Sequence, residues 1–289
     1  MTDIVTQMLS PYKANTVDEK RMALKEVIQN TILCALATDG FFTHAAFYGG
    51  TALRIFHGLD RFSEGLDFAL LQKDPDYDIS QHFSAIRKTL EALGLECEVT
   101  AKQKNVETYE ASAYVKCKAR QLLSSDYPDS VMQVPYNELM KIRLEVDTNP
   151  PGAFGCEFKA LLLPSPCKIR LYDVPSLFAG KIHALLCRKW TRVKGRDIYD
   201  YIFHLSRGAG VNMRHLKAKL ASSKFIESGC DIDLPWLIEA LEKRFQQIDF
   251  SQAKDDVRPF IKDPSQLGVW SADFLSLATR QYLKEAHLP

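Results

Sequence analysis

The residues best suited to chemistry lie in two short stretches early in the chain. A Gly-Gly-Thr run, Gly49 to Thr51, follows an apolar segment, and one carboxylate, Asp67, lies within a later apolar run. Glycine allows a sharp turn and a close approach to a ligand, and the N–H groups of a helix that begins there bind anions. An aspartate on the next strand can hold a divalent metal beside bound phosphates. The pattern indicates nucleotide chemistry.

The second stretch is expected to form a strand over Leu66 to Leu71. Side chains alternate along an extended strand, so Ser63, Gly65 and Asp67 are predicted to share one face. We expect Gly50 and Thr51 to hold the β- and γ-phosphates of a nucleotide and Ser63 to donate to a phosphate. The competing interpretation is an ordinary turn followed by a surface aspartate.

The same residues resemble a known family. Gly-Gly-Thr-Ala-Leu-Arg, followed by Arg-Phe-Ser-Glu-x-Leu-Asp-Phe over Arg61 to Phe68, is similar to the first motif of the AbiEii/AbiGii toxin family of the nucleotidyltransferase superfamily. The similarity extends over residues 16–205. It implies that Gly49 and Arg61 also contribute to nucleotide binding and that Asp67 is catalytic and binds Mg²⁺.

One position departs from the family. Two aspartates separated by a hydrophobic residue are usual there, whereas this chain has Gly65-Leu66-Asp67. Glu64 would point to the opposite face of the strand, and Asp60 lies too far along the chain to replace the missing carboxylate. Three interpretations remain open: an active enzyme with fewer metal ligands, a nucleotide-binding protein without turnover, or a toxic activity disarmed by mutation.

A second motif-like segment ends in two carboxylates. Leu139 to Val146 alternates between apolar and polar residues, which predicts a strand with Glu145 and Asp147 on its polar face. The resemblance implies that a carboxylate here is catalytic and helps to deprotonate the attacking hydroxyl. Either residue would serve, and we favour Asp147, also as a metal ligand. The alternative is the solvated face of an antiparallel edge strand.

A third segment resembles the family's Lys-x-x-Ala helix followed by Arg-Asp-x-x-Asp. It contains Lys181 and, later, Arg196, Asp197 and Asp200. The resemblance implies that Lys181 neutralises triphosphate charge, that Asp197 is catalytic, and that Arg196 contributes to nucleotide binding. The alternative is a salt-bridge network in which Lys181 or Arg188 pairs with Asp197 or Asp200.

Other polar residues give weaker signals. His183 lies on a mostly apolar helix, where packing is a more frequent role than catalysis, and His57 is similarly ambiguous. The basic link over residues 189–195 includes Trp190, a composition that suits either polynucleotide binding or a solvated linker.

Composition sets broad limits. The chain has 289 residues, 46% hydrophobic and 25% charged, with a net charge of +1, which is typical of a soluble globular protein without a global basic field. Its N-terminus does not resemble a signal peptide, and no apolar run is long enough to span a membrane. Seven cysteines without a C-x-x-C pair are expected to be buried and reduced, as in a cytoplasmic protein, with no zinc site.

The order of predicted elements indicates an α/β (α+β) protein. We expect a nucleotidyltransferase-like mixed sheet with flanking helices over residues 1–173, followed by a helical C-terminal domain over residues 174–289. Thr16 and Glu19 form a predicted capping box. The predicted helices are 17–38, 79–93, 175–188, 196–207, 216–220, 234–245 and 272–284; strands are expected at 95–102 and 106–118, and a polar turn at 124–129.

The favoured function combines these elements. The resemblance implies transfer of NMP from an NTP to an acceptor hydroxyl with Mg²⁺, in a toxin–antitoxin or phage-defence system. It also implies an RNA acceptor such as tRNA and a cognate antitoxin. The main alternative is a catalytically impaired nucleotide-binding module of the same fold, favoured by Gly65. A third alternative is an interaction protein with a vestigial pocket.

Overall fold

The structure, a computed structural model, describes residues 3–102, 109–127, 132–188 and 194–286. The chain divides into two compact units. The sheet unit contains Met1–Ala52, Phe62–Pro150 and Phe158–Leu171, and the helical unit contains Leu53–Arg61, Pro151–Glu157 and Tyr172–Pro289. The two units are defined by contacts and do not show which parts of the chain fold independently. The predicted boundary between two domains near residue 173 therefore stays a prediction.

The strands form one mixed sheet. They are β1 (Ala45–Tyr48), β2 (Gly65–Leu70), β3 (Cys97–Ala101), β4 (Glu110–Lys118), β5 (Leu139–Asp147), β6 (Cys156–Leu161) and β7 (Cys167–Tyr172). Their order is β3-β4-β5-β2-β1-β7-β6. β1 pairs antiparallel with β2 and parallel with β7, β2 pairs parallel with β5, and β4 pairs antiparallel with both β3 and β5. This sheet with its flanking helices confirms the predicted α/β fold class.

The alternating segment behaves as its pattern predicts. Ile142, Leu144 and Val146 are fully buried on one face of β5, which places the polar residues on the other. However, β5 lies between β2 and β4, so the alternative of an edge strand is wrong. Hydrophobic alternation identifies the buried face of a strand but does not identify its neighbours.

The helices are α1 (Asp3–Leu9), α2 (Val17–Thr38), α3 (Gly49–His57), α4 (Phe83–Ala92), α5 (Ala119–Asp126), α6 (Val174–Cys187), α7 (Gly195–Ser206), α8 (Met213–Ser222), α9 (Leu234–Phe245), α10 (Phe250–Val257) and α11 (Ala272–Tyr282). Both bonds of the predicted capping box are present at the start of α2: the Glu19 N–H donates to Thr16 Oγ1 at 3.2 Å, and the Thr16 N–H donates to Glu19 Oε2 at 3.0 Å. The box satisfies N–H groups that have no partner within the helix.

Each unit has an aromatic core of its own. In the sheet unit, Phe68 lies with its ring centre 4.9 Å from that of Phe41 and 5.3 Å from that of Phe47. In the helical unit, Phe178 stacks on His204 with ring centres 4.6 Å apart. Burying one such phenylalanine contributes roughly 1.5–3 kcal/mol to folding. These cores fix the strands and helices that carry the polar residues of interest.

Some local predictions are wrong. Residues 119–126 form α5, where a polar turn was expected to begin at Ser124. Its buried side, which includes Leu122 and Leu123, stabilises the helix against the weak helix preference of the serines that follow. Strands β6 and β7 and helices α1 and α10 were not predicted, because each is short and lacks a long periodic pattern.

The expectation of buried, reduced cysteines is also wrong in part. Cys97 and Cys117 form a disulfide, and Cys156 and Cys230 are exposed. The two disulfide residues face each other across β3 and β4, with their Cα atoms 4.3 Å apart. Directly opposed residues of an antiparallel pair come this close, and strand register is not visible in cysteine spacing.

Among the residues that the structure describes, no helix has the length and apolar character needed to cross a membrane.

Candidate active site

Parallel pairing of β2 with β5 brings the predicted carboxylates together. Asp67 lies directly opposite Glu145, and Ala69 lies opposite Asp147. Residues opposite each other in a parallel pair point to the same face, and residues two apart on one strand do as well. Asp67, Glu145 and Asp147 therefore share one face of the sheet. Glu145, rather than the favoured Asp147, is the direct neighbour of Asp67.

Glu145 lies in a negative environment. Its pKa is raised to about 7, mainly by burial and also by the nearby carboxylates of Glu110 and Asp67, while the charge of Arg143 opposes the increase. Arg143 Nη1 lies 2.7 Å from Glu145 Oε1, but half of the arginine side chain is exposed, so solvent weakens this pair. A carboxylate that titrates near neutral pH is suited to accept a proton in catalysis.

The glycine turn packs directly against Asp67. Gly49 has φ = +82°, in the left-handed region where glycine is favoured, and it is the first residue of α3. A Cβ at this position would overlap the carboxylate of Asp67. The absence of a side chain at Gly49 thus allows the start of α3 and Asp67 to come together, as the sequence predicts.

The side chain of Thr51 has a structural role in the turn. Its side chain is fully buried, and its hydroxyl donates to the backbone carbonyl of Gly65. This bond ties the start of α3 to the first residue of β2. Phosphate binding by Gly50 and Thr51 stays a prediction, and the backbone N–H groups of the helix start are the groups available to it.

Ser63 precedes the strand instead of lying on it, because β2 begins at Gly65. The expectation that Ser63, Gly65 and Asp67 share a strand face is therefore wrong for Ser63. The serine is half-buried, and its carbonyl accepts a hydrogen bond of 3.0 Å from the amide of buried Gln29. Donation by its hydroxyl to a phosphate stays a prediction.

Neither alternative carboxylate in this region lies on β2. Glu64 precedes the strand, and its Oε1 lies 3.6 Å from Lys25 Nζ. Asp60 belongs to the helical unit, where it accepts a hydrogen bond of 2.6 Å from the hydroxyl of Tyr199. Neither residue therefore replaces the carboxylate that is missing at Gly65.

Gly65 itself has room for a small side chain. A Cβ there would lie 3.3 Å from the carbonyl oxygen of Arg143, so the neighbouring backbone would have to move by a few tenths of an ångström. Gly65 does not need a left-handed backbone conformation. An aspartate at this position therefore requires a shift of the β5 backbone at Arg143.

The donor set at this face fits Mg²⁺ in type. Among the described residues, no group of three histidine, cysteine, aspartate or glutamate side chains could hold a metal ion. Mg²⁺, however, usually binds through one or two carboxylates and completes its shell with water and substrate phosphate. The adjacent carboxylates of Asp67 and Glu145 meet that lower requirement.

The third motif-like segment forms a buried ion-pair cluster within the helical unit. Asp200, which is fully buried, accepts hydrogen bonds of 2.6 Å from both Nε and Nη2 of Arg61. Lys181 Nζ lies 2.7 Å from the same carboxylate. Burial alone would raise the pKa of Asp200, but the charges of Arg61 and Lys181 outweigh it and lower the pKa. Asp200 is therefore ionised at neutral pH.

Asp197 and Arg188 complete this cluster. Asp197 lies 3.5 Å from Lys181 Nζ and 3.1 Å from Arg188 Nη2. The salt-bridge network considered from the sequence is thus present. Catalytic roles for Lys181 and Asp197 and nucleotide binding by Arg61 stay predictions, and in this conformation all three side chains stabilise the helical unit.

The remaining predicted residue of this segment, Arg196, also has structural partners. Its Nε lies 3.7 Å from Asp256, and its guanidinium lies 4.3 Å from the ring centre of Phe260. These contacts join α7 to α10 and the short helical turn after it. Nucleotide binding by Arg196 stays a prediction.

Both histidines contact polar side chains. His183 Nε2 lies 3.0 Å from the hydroxyl of Ser223, and burial lowers its pKa to about 3. It is therefore neutral at physiological pH. His57 Nε2 lies 3.6 Å from Glu157 within the helical unit. Most of the basic link, including Trp190, lies outside the described residues.

The mixed sheet with its flanking helices is similar to solved structures. JHP933 from Helicobacter pylori has a similar structure, with a TM-score of 0.51 and 17% identity over 91% of this chain and 92% of that protein. MenT4, a nucleotidyltransferase toxin from Mycobacterium tuberculosis, matches with a TM-score of 0.49 and 15% identity over 96% and 94% of the two chains.

The family follows from the sequence itself. Residues 31–276 match the family model described as the nucleotidyl transferase AbiEii toxin of type IV toxin–antitoxin systems. The match covers most of the chain, so the chain belongs to the AbiEii nucleotidyltransferase toxin family. A comparison with curated proteins gives no match.

Proposed function

We propose that this protein transfers NMP from an NTP to a hydroxyl group on RNA. The family supplies the reaction class. The observation that carries the proposal for this chain is the register that places Asp67 beside Glu145, with the glycine start of α3 packed against Asp67. This arrangement combines an anion-binding helix start with adjacent carboxylates, the two features that nucleotidyl transfer needs.

Each of these residues has a separate role in the proposed reaction. Backbone N–H groups at Gly50 and Thr51 bind phosphate at the start of α3. Asp67, with Glu145 or Asp147, would hold Mg²⁺, which when bound neutralises phosphate charge. The acceptor oxygen bonds to the α-phosphorus while the bond from that phosphorus to pyrophosphate breaks. Glu145 receives the hydroxyl proton; its position opposite Asp67 makes it our choice over Asp147.

The third segment is assigned a supporting part in the proposal. Lys181 is retained as a candidate for neutralising triphosphate charge, and Asp197, which lies 3.5 Å from Lys181 Nζ, as a candidate for positioning it. Arg61 and Arg196 are retained as candidates for nucleotide binding. A rise in KM for NTP without loss of folding in Lys181→Ala would support this part, and an unchanged KM would remove it.

A second candidate function is nucleotide binding without turnover. Gly65 favours it, because this position lacks the carboxylate that the family usually has. Nucleotide binding that persists in EDTA, without transfer, would identify this function.

Labelling of RNA tests both candidates. Purified protein is incubated with each α-³²P-labelled NTP, Mg²⁺ and total RNA, as wild type and as Asp67→Ala, Glu145→Gln, Asp147→Asn and Gly65→Asp. We expect label from wild type, its loss in Asp67→Ala, and a larger loss in Glu145→Gln than in Asp147→Asn. Asp76→Ala, which removes an exposed carboxylate elsewhere in the sheet unit, is the matched control.

The outcomes separate the two candidates. Label that appears only with Gly65→Asp would identify a disarmed transferase whose pocket and acceptor recognition are intact. Label from neither protein would exclude transfer to RNA. A cognate antitoxin and a cytoplasmic location belong to the same proposal, in keeping with the toxin family; relief of toxicity by the product of a neighbouring gene would test the antitoxin.

A further inference from the structure

A groove of about 550 Å³ lies in the sheet unit beside the start of α5. Its lining includes Lys118, Arg120, Tyr136 and Asn137, and none of its described lining residues is acidic. Lys118 directly precedes α5, whose positive dipole end therefore lies at the groove. Two cationic side chains and the start of a helix therefore border the groove, although the net charge of the whole chain is only +1.

An aromatic ring stands open to solvent in this groove. The side chain of Tyr136 is 78% exposed, far more than a ring that contributes to a core. The guanidinium carbon of Arg120 lies 5.6 Å from the ring centre. A cation against an exposed ring leaves planar surfaces on which nucleic-acid bases stack.

The lining distinguishes between two kinds of anionic partner. Lys118 and Arg120 would attract either a phosphate backbone or an acidic peptide. The exposed ring of Tyr136 and the amide of Asn137 favour a polynucleotide, because a base offers a planar face for stacking and polar edges for hydrogen bonds. Acidic side chains accept hydrogen bonds but offer no planar aromatic face for stacking.

We propose that this groove binds single-stranded RNA, with a base stacked on Tyr136 and phosphates bound by Lys118 and Arg120. The inference rests on the proposed function, since this RNA would be the acceptor of the transferred nucleotide. It adds a binding surface that none of the three motif-like segments contains.

Binding is tested without NTP or metal, so that transfer is not required. Fluorescence anisotropy of a fluorescein-labelled oligo(U) of about ten nucleotides reports affinity for wild type and variants. Tyr136→Ala is expected to weaken binding about tenfold, whereas Tyr136→Phe keeps the ring and retains binding. Lys118→Ala is expected to reduce the slope of log K against log salt by about one.

Phe158 provides a matched control. It is 58% exposed and has the guanidinium of Arg170 5.0 Å from its ring centre, but it lies on β6, at the opposite edge of the sheet from β3. Phe158→Ala is expected to bind RNA as wild type does. Equal affinity of Tyr136→Ala and wild type, or equal losses in Tyr136→Ala and Phe158→Ala, would overturn the proposal.

Two further results separate this proposal from the proposed function. RNA binding that depends on Tyr136 in a protein that transfers no nucleotide would support the groove and reject the transferase. Equal labelling of RNA by wild type and Tyr136→Ala would support the transferase and overturn the groove as its acceptor site. Binding of polyglutamate in place of oligo(U), lost in Arg120→Ala, would identify an acidic protein partner and overturn the RNA proposal.

Discussion

The carboxylates of the sheet unit and those of the helical unit have opposite electrostatic surroundings. In the helical unit, buried Asp200 lies between Arg61 and Lys181, and its pKa is lowered. In the sheet unit, Glu145 lies beside Asp67, and its pKa is raised to about 7 by burial and by neighbouring carboxylates. Both clusters belong to segments that resemble family motifs.

This difference indicates which of the two clusters is suited to bind a cation. The charges of the helical unit are balanced by side chains of the same unit, so this cluster has what it needs to stabilise the fold. In the sheet unit, one partly exposed arginine, Arg143, opposes the carboxylates around Glu145. A bound cation would relieve the repulsion among them. The comparison therefore favours the first two segments as the place of the proposed chemistry and a mainly stabilising role for the third.

The largest expected effect comes from breaking the balanced cluster. Asp200→Ala leaves the buried guanidinium of Arg61 without its carboxylate, and we expect the free energy of unfolding to fall by about 3–5 kcal/mol. Urea unfolding followed by circular dichroism measures it. Asp76→Ala, at an exposed position, is expected to change stability by less than about 0.5 kcal/mol. Equal stability of the two variants would show that the cluster does not support the fold.

The sequence predicts part of this comparison, because some of its signals are local. The capping box at Thr16 and Glu19 and the alternation along β5 depend on residues close in sequence, and both are confirmed. The close packing of Gly49 against Asp67 agrees with the resemblance to the family's first motif. Local pattern and family motif together predict which elements carry the candidate site.

The rest depends on pairing between distant segments. Nothing local shows that β5 lies parallel to β2, so the placement of Glu145, instead of Asp147, opposite Asp67 was not predictable. The burial of Arg61 against Asp200 joins residues 139 positions apart. Arginine is rarely buried without such a partner, so the burial of Arg61 could not be predicted without knowing that Asp200 lies beside it.

The sheet cluster is expected to show the opposite pH dependence from a stabilising ion pair. Because the pKa of Glu145 is raised from 4.5 to about 7, the folded protein binds more protons than the unfolded chain between these values. Glu145 therefore lowers stability as the pH rises through that range. Glu145→Gln removes this loss, and we expect it to be more stable than wild type at pH 8 by about 1 kcal/mol, allowing for solvent screening.

Urea unfolding at pH 5 and pH 8 checks this expectation. The difference in stability between the two pH values should be shifted in Glu145→Gln and unchanged in Glu91→Gln, which alters an exposed residue of α4. If Glu145→Gln were less stable than wild type at pH 8, its pair with Arg143 would outweigh the repulsion, and the contrast between the two units would fail.

The smallest expected effect concerns the pair of Arg188 and Asp197 in the helical unit. Arg188 lies 3.1 Å from Asp197, but a third of the arginine side chain is exposed, whereas Asp200 is fully buried. Solvent weakens the first pair, so a double-mutant cycle of Arg188→Ala and Asp197→Ala should give a coupling energy of about 0.2–1 kcal/mol. A coupling above about 2 kcal/mol would place Asp197 with Asp200 as a main support of the fold. If the single variant Asp197→Ala in this cycle is also as stable as wild type, loss of RNA labelling in Asp197→Ala would report on its predicted catalytic role.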